Sequence, residues 1–175
     1  TTRPLPLNHI AEPLELPLRP LKRRLRYCAL TNSLERHSQN LIFLRTAALL
    51  DRRRWLASIF VPATARGDLH EDFRRAFIPV HYVDLDNIDY QELRKQVSDK
   101  LDPSMASLLS KCDVHVYANT YDDPDAAALA ELAARYASPH SKRVMELPNL
   151  HPPATGDEDA FVAPSHFAAS HTQTD

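Results

Sequence analysis

Short apolar segments alternate along this chain with segments whose apolar residues recur at helical spacing, and this alternation restricts the fold more than any other feature. The first unit consists of the apolar run Leu25 to Thr31, a polar stretch, and then Leu41, Leu44 and Ala48. Alternating strands and helices favour a parallel sheet, because parallel neighbours require crossover connections. The sequence therefore predicts an α/β fold, a three-layer αβα Rossmann-like domain with a mostly parallel sheet of about six strands.

The predicted strands are short apolar runs bounded by polar residues or proline, and the predicted helices lie between them. Strands are expected at 25–31, 55–61, 78–85, 113–118, 143–147 and 160–163. Helices are expected at 41–51, 69–76, 86–101, 103–110 and 124–137, with a closing helix from 166 onward. Each of the first four predicted strands is followed by at least one helix. A Pro-rich connection without a predicted helix joins the fifth strand to 160–163.

Proline is frequent and glycine is rare, with 14 prolines and two glycines among 175 residues. Residues 1–24 carry a proline every few positions and end in a basic cluster, which predicts an extended Pro-rich N-terminal arm. The basic cluster could bind phosphate, but a solvated approach to the first strand is favoured, and the arm could also contact a protein partner. Residues 25–175 have the length of a single domain.

The balance of charges and the hydropathy pattern exclude several kinds of partner. A net charge of −2 gives no general attraction for nucleic acid, so none is expected as a partner. No apolar run approaches the roughly 20 residues of a membrane-spanning helix, and the start of the sequence has no secretory-signal pattern. It could follow a processed segment or be a fragment boundary. We predict a soluble, cytoplasmic protein without a transmembrane segment.

Cysteine and histidine give no sign of a metal site or a familiar catalytic motif. Cys28 and Cys112 fall in predicted core strands or at their edges, which favours buried free thiols over a disulfide. The nine histidines include no i, i+4 pair, so no metal is predicted. A P-loop and a nucleophile elbow are also missing from the sequence.

Several segments occur in the order known from one enzyme family. A strand ends in proline, a "G-x-L" turn follows, and "I-P-V" opens the next strand, at Pro62, Gly67, Leu69, Ile78, Pro79 and Val80. Further along, "DVHVYANT" and "DAFVAPSHFAASH" have the form of two later strands with their following residues. Together these segments resemble the N-terminal domain of glycosyltransferase family 4, a retaining GT-B family, over most of Leu25 to His171.

This resemblance implies a function as the acceptor-side domain of a glycosyltransferase. The reaction would move a hexosyl group from a nucleotide-sugar donor to a hydroxyl group of a sugar or glycolipid acceptor. In that family a C-terminal Rossmann domain holds most of the donor, and we expect that domain to be absent from residues 25–175. The isolated chain would then be inactive, and no cofactor is expected besides the nucleotide-sugar as co-substrate.

Ligands of open parallel sheets bind beyond the carboxyl ends of the strands, so the candidate site residues are those that follow predicted strands. The candidate substrate-binding residues are Asn32, Ser33, Glu35, Asn119, Thr120 and Ser165. Capping of the following turn would equally explain Asn119 and Thr120, whereas helix capping is the favoured explanation of Ser165. The catalytic residues stay unknown.

Two residues are weaker catalytic candidates. His37 is interpreted as a base or sugar contact, or as a surface histidine of the loop. Glu146 falls where some members of the family carry a His-Glu pair, but Met145 occupies the position of the histidine. Without that histidine the pair cannot transfer protons.

The loop after the first strand departs from the family, because it has no glycine and contains Glu35. This departure supports an alternative function, a non-catalytic glycosyltransferase-like binding or assembly subunit. A third interpretation, an unrelated Rossmann-like nucleotide-binding protein, would need a phosphate-cradling loop that the sequence does not show.

Overall fold

The computed structural model describes residues 23–86, 88, 101–118, 123–146 and 160–162. Strands and helices alternate through these ranges. The strands are β1 (Leu25–Leu30), β2 (Trp55–Pro62), β3 (Val80–Val83), β4 (Val114–Ala118), β5 (Lys142–Glu146) and β6 (Ala160–Val162). The helices are α1 (Ser38–Leu49), α2 (His70–Arg75), α3 (Pro103–Ser110) and α4 (Pro124–Tyr136).

All six strands form one sheet in the order β3-β2-β1-β4-β5-β6. Each pair of neighbours is parallel. Residues of α1 and α2 pack on one face of the sheet, and residues of α3 and α4 pack on the other. The predicted α/β fold with three layers and a six-stranded sheet is therefore confirmed, and the order is the one found in doubly wound dinucleotide-binding folds.

The central strand β1 supplies side chains to both cores. Tyr27 and Ala29 belong to the core under α1 and α2, whereas Cys28 and Leu30 belong to the core under α3 and α4. Successive side chains of a strand point to opposite faces, so a strand covered on both faces is apolar throughout. This is why the strand segments are evident in the sequence as unbroken apolar runs.

Two of the helices begin where their capping residues predict. Asp102 accepts hydrogen bonds from the backbone N–H groups of Ser104 at 2.9 Å and Met105 at 3.2 Å, ahead of α3. Asp123 accepts from Asp125 and Ala126 at the start of α4. A proline follows each cap, at the first helical position, where its missing N–H is not needed.

Helix α1 buries a different face from the one predicted. The sequence spacing pointed to Leu41, Leu44 and Ala48, but the fully buried residues are Gln39, Asn40, Phe43 and Ala47. Leu41 and Leu44 are only partly buried, and Ala48 is exposed. Apolar residues surround nearly the whole helix, with Ile42 45% and Leu49 86% exposed, so the spacing does not single out one face.

Several predicted elements lie outside the described residues. These are the arm up to residue 22, the helix between Asp86 and Leu101, and the closing helix from His166. Within the described ranges, no helix combines the length and the apolar character that a bilayer-spanning segment requires.

The expectation of free thiols is wrong, because Cys28 and Cys112 form a disulfide. Both residues are buried, as predicted, at 1% and 2% exposure. The pairing of β4 with β1 brings the segment before β4 beside β1, so the two Cα atoms lie 6.0 Å apart although 84 residues separate them. Sequence separation does not reveal this proximity, because it results from the crossover connection.

We expect the disulfide to contribute strongly to stability, since it closes a long loop in the unfolded chain. The double variant Cys28→Ala/Cys112→Ala should lose roughly 2 to 5 kcal/mol of unfolding free energy, measured by urea denaturation. A reductant should shift the unfolding transition of the wild type but leave that of the variant unchanged. Equal stability of the two proteins, within about 0.5 kcal/mol, would contradict a structural role for the bond.

Candidate functional site

The strand order reverses between β1 and β4, and in doubly wound sheets such a reversal marks a ligand-binding crevice at the carboxyl edge. After β1 the chain enters α1 on one face, and after β4 it reaches α4 on the other face. The helices that follow the two strands therefore lie on opposite faces of the sheet, and doubly wound sheets bind ligands at such a point. We take this crevice as the candidate site.

The loop after β1 is folded around the buried side chain of Asn40, in the first turn of α1. The hydroxyl group of Thr31 donates to Asn40 Oδ1 at 2.8 Å. Asn40 Nδ2 donates to the backbone oxygens of Ser33 and Glu35, both at 2.9 Å. Asn40 has no exposed surface, so these bonds fix the path of the loop from inside.

The same amide group orients His37, the residue that precedes α1. Asn40 Nδ2 lies 3.0 Å from His37 Nε2, and the hydroxyl group of Ser33 lies 3.2 Å from the same nitrogen. The two hydrogens of this amide are taken by the oxygens of Ser33 and Glu35, so the contact positions the imidazole ring without fixing which ring nitrogen carries the proton. His37 Nε2 and the hydroxyl group of Ser33 share one hydrogen bond, in which either group can be the donor.

A second loop, between β2 and α2, packs against the first. Leu34 donates its N–H to the backbone oxygen of Arg66 at 2.7 Å, and Leu69 donates to the oxygen of Leu34 at 3.0 Å. Gly67 has a φ of 130°, and a Cβ atom there would overlap the backbone of Leu34. Only glycine adopts this φ without strain and has no Cβ atom to overlap Leu34.

An ion pair strengthens the contact between the two loops. The guanidinium group of Arg36 pairs with Asp68 at 3.1 Å and also with Asp72 on α2. These groups are partly exposed, so the contribution to stability is small. Their role is to hold the exposed rim of the first loop toward α2.

Asn32 spans the crevice. Its side-chain amide donates to Oδ2 of Asp123, whose Oδ1 caps α4. The loop after β1 is thereby joined directly to the beginning of α4. A ligand entering the crevice would meet this pair of side chains first.

The α4 side of the crevice is acidic. Burial raises the pKa of Asp125, and the negative charges of Asp123 and Asp86 raise it further. Carboxylates accept hydrogen bonds from hydroxyl groups but repel phosphate groups. This edge is thus suited to a neutral ligand with many hydroxyl groups.

The structure brings four of the predicted site residues together and leaves one apart. Asn32, Ser33, Glu35 and His37 all lie in the loop after β1. Glu146 ends β5, two strands away from β1, which corresponds to roughly 10 Å at the backbone.

The other predicted positions cannot be compared with the structure. Asn119, Thr120 and Ser165 lie outside the described residues. Their assignment to the site stays a prediction. Among the described residues, no group of three or more histidine, cysteine, aspartate or glutamate side chains is arranged to hold a metal ion.

Sequence reasoning missed the two residues that organise the site, Asn40 and Asp123. Asn40 shares one face of α1 with Phe43 and Ala47, which follow it by three and seven residues. A polar residue on such an apolar face indicates a buried hydrogen-bonding role. Asp123 immediately precedes Pro124, which is the pattern of a helix cap followed by proline at the first turn. Its bond to Asn32 has no sequence signal, because it joins residues from two crossover units.

Replacing Asn40 tests whether it holds the loop. Asn40→Ala should lower the unfolding free energy by about 2 to 3 kcal/mol, because it leaves the buried hydroxyl group of Thr31 without an acceptor and two partly buried carbonyl groups without a donor. Amide hydrogen exchange should also accelerate in residues 31–37. The measurements are urea denaturation and exchange followed by mass spectrometry.

Gln39 offers a matched control on the same helix. It is also a buried amide, but its Nε2 has no hydrogen-bond partner among the described residues. Gln39→Ala should therefore cost less stability than Asn40→Ala and leave exchange in the loop unchanged. Equal effects of the two substitutions on stability and exchange would show that Asn40 has no special role.

Comparison with known proteins does not assign the chain to a family. No family model matches the sequence, and no curated protein is significantly similar to it. A function for the chain is therefore inferred from its fold and from the chemistry of the crevice.

Proposed function

We propose that this chain is the acceptor-side domain of a glycosyltransferase that transfers a hexosyl group from a nucleotide-sugar to a hydroxyl group of a sugar or glycolipid. The observation that supports this most directly is the crevice at the strand reversal, spanned by Asn32 and Asp123. Its amide, hydroxyl and carboxylate groups come from rigid elements on both sides. Such pre-positioned polar groups are typical of sites that orient a small ligand.

The chemistry of the crevice favours an acceptor over a nucleotide. Sugar hydroxyl groups both donate and accept hydrogen bonds, and Asn32, Ser33 and Glu35 offer both kinds of partner. A phosphate group would need a glycine-rich turn or cations, whereas this loop has no glycine and faces Asp123 and Asp125. The donor would accordingly bind to a second Rossmann-like domain. That domain would belong either to the same protein or to another chain.

In this proposal Ser33 and His37 act as one hydrogen-bonding unit. The hydroxyl group of Ser33 shares a hydrogen bond with His37 Nε2, and in either direction of that bond the oxygen of Ser33 keeps a lone pair for a hydroxyl group of the acceptor. Asn40 keeps the imidazole in that orientation. We assign positioning of the acceptor to these residues and assign no catalytic residue to this half.

A second function, a non-catalytic glycosyltransferase-like binding or assembly subunit, is supported by a specific observation. The hydrogen-bonding groups of Asn40, Ser33 and His37 are directed toward one another. A loop satisfied internally in this way can bind a carbohydrate without taking part in proton transfer. Both functions would use the crevice, but only the enzyme would transfer a sugar.

The compartment belongs to the proposal as well. The sequence favours the cytoplasm, whereas the Cys28–Cys112 disulfide favours an oxidising compartment, because disulfides are rare in cytosolic proteins. Alkylation of free thiols in intact cells, followed by mass spectrometry, measures the state of the pair directly. A reduced pair supports the cytoplasm, and an oxidised pair supports an oxidising compartment.

Calorimetric titration tests the acceptor site. Alkyl glycosides of common hexoses should bind saturably, whereas nucleotide-sugars should bind this domain more weakly. Asn32→Ala should weaken glycoside binding about tenfold, the effect of removing one well-placed polar contact. The exposed Thr46 on α1 provides the control, since Thr46→Ala should bind like the wild type.

Two outcomes of this titration would contradict the acceptor assignment. One is the lack of any saturable glycoside binding by a folded chain. The other is unchanged binding by Asn32→Ala. Sugar transfer by a longer natural version, assayed with a nucleotide-sugar and a bound glycoside, supports the enzyme, whereas binding without transfer supports the non-catalytic subunit.

A further inference from the structure

A second cavity, of about 390 Å³, opens at the opposite edge of the sheet, where β1, β2 and β3 begin. Its volume falls in the range of small-molecule sites. The six residues of β1 place this amino edge roughly 17 Å from the carboxyl edge. The cavity is therefore separate from the crevice, and nothing in the proposed function uses it.

Three arginines line the cavity, namely Arg24, Arg26 and Arg52. Within the described part of the chain, none of the three forms an ion pair with a carboxylate. The cavity thus has a concentrated positive charge, which attracts an anion.

The nearest carboxylates are already engaged with other groups. Asp113 pairs with Arg23 at 2.6 Å and accepts the backbone N–H of Arg26 at 2.8 Å. Asp51 accepts the backbone N–H of Arg53 at 2.9 Å. The charge of Arg26 also interacts with Asp113, so the arginines at the cavity have some counter-charge, but they outnumber the carboxylates.

The guanidinium group of Arg52 is held in place. It donates to the backbone oxygen of Ala76 at 3.1 Å, and its central carbon lies 5.3 Å from the ring centroid of Phe77. Arg24 donates to the backbone oxygen of Arg52 at 3.4 Å. Part of the charge is therefore positioned before any ligand arrives, which lowers the entropy cost of binding.

Phe77 is an unusual residue for its position. It ends α2 with a φ of 56°, where the N–H of Ile78 donates to the oxygen of Phe73 at 2.9 Å and closes the helix. Glycine is the usual residue at such a left-handed cap, and another residue costs about 1 to 2 kcal/mol there. The side chain is also 80% exposed, so core packing does not account for it.

Apart from Ser58 and His81, the rest of the cavity is apolar. Trp55, half-buried at the beginning of β2, lines it together with Phe77. Cys28 and Phe60, both buried, form part of its inner surface. The cavity thus combines an anion-attracting rim with aromatic surface.

We propose that this cavity binds an organic anion, a phosphate or carboxylate attached to an aromatic or other flat apolar group. The anionic group pairs with Arg24 and Arg52, which lie together at the rim beside Phe77, through charge-assisted hydrogen bonds. The apolar group packs on Trp55 and Phe77 beside Arg52. This site is independent of the carbohydrate crevice, so either can exist without the other.

Phenyl phosphate is a suitable probe, because Trp55 is the only tryptophan of the chain and its fluorescence reports on this cavity. Titration should give a saturable change in fluorescence, and calorimetry should give the same affinity. Inorganic phosphate has no aromatic ring and phenol has no anionic group, so each should bind at least about tenfold more weakly than phenyl phosphate. Absence of both heat and fluorescence change, or equal binding of inorganic phosphate, would overturn the proposal.

Two sets of variants locate the site. Arg24→Gln/Arg52→Gln should weaken phenyl phosphate binding at least about tenfold, whereas Arg53→Gln should stay within about twofold of the wild type. Arg53 is the matched control, since it is an exposed arginine next to Arg52 that does not line the cavity. Equal affinities of the double variant and the control would refute the assignment.

Phe77→Gly separates a binding role from a structural one. Glycine relieves the left-handed backbone, so the melting temperature should stay the same or rise. Binding of phenyl phosphate should nevertheless weaken, because the aromatic contact and the partner of Arg52 are lost. A fall in melting temperature with unchanged affinity would mean that Phe77 serves the fold and not a ligand.

Discussion

The central position of β1 determines most of what the described structure can do. This strand is paired along its length with β2 on one side and with β4 on the other. The two pairings send the following connections to opposite faces of the sheet, which opens the crevice at one edge. They also bring Cys112 to Cys28, so a covalent bond joins the strand to the connection that precedes β4.

The carboxyl edge shows how polar groups can be fixed without a glycine-rich loop. Asn40 organises the loop after β1 from the buried side, and Gly67 lets the neighbouring loop approach Leu34 closely. The glycine that this fold usually places in its first loop is thus found in the second. The resulting surface is acidic and rich in hydroxyl and amide groups, which distinguishes it from the phosphate-binding form of the fold.

The sequence predicted the strands well because burial on both faces makes them apolar throughout, and it predicted α3 and α4 because a proline suits the first turn of each helix. It did not predict which face of α1 is buried, because apolar residues surround that helix. It also missed the disulfide and the bond between Asn32 and Asp123, since both join residues far apart in sequence. The resemblance to glycosyltransferases stays a prediction.

Backbone amide chemical-shift mapping of the isotope-labelled chain, titrated with methyl glycosides of common hexoses, tests the central claim most directly. The account predicts that the shifted amides cluster in residues 31–37 and 123–126, on both sides of the crevice, while amides around Trp55 and Phe77 stay unchanged. Shifts confined to other parts of the sheet, or none at the highest glycoside concentration, would contradict a carbohydrate site at the strand reversal.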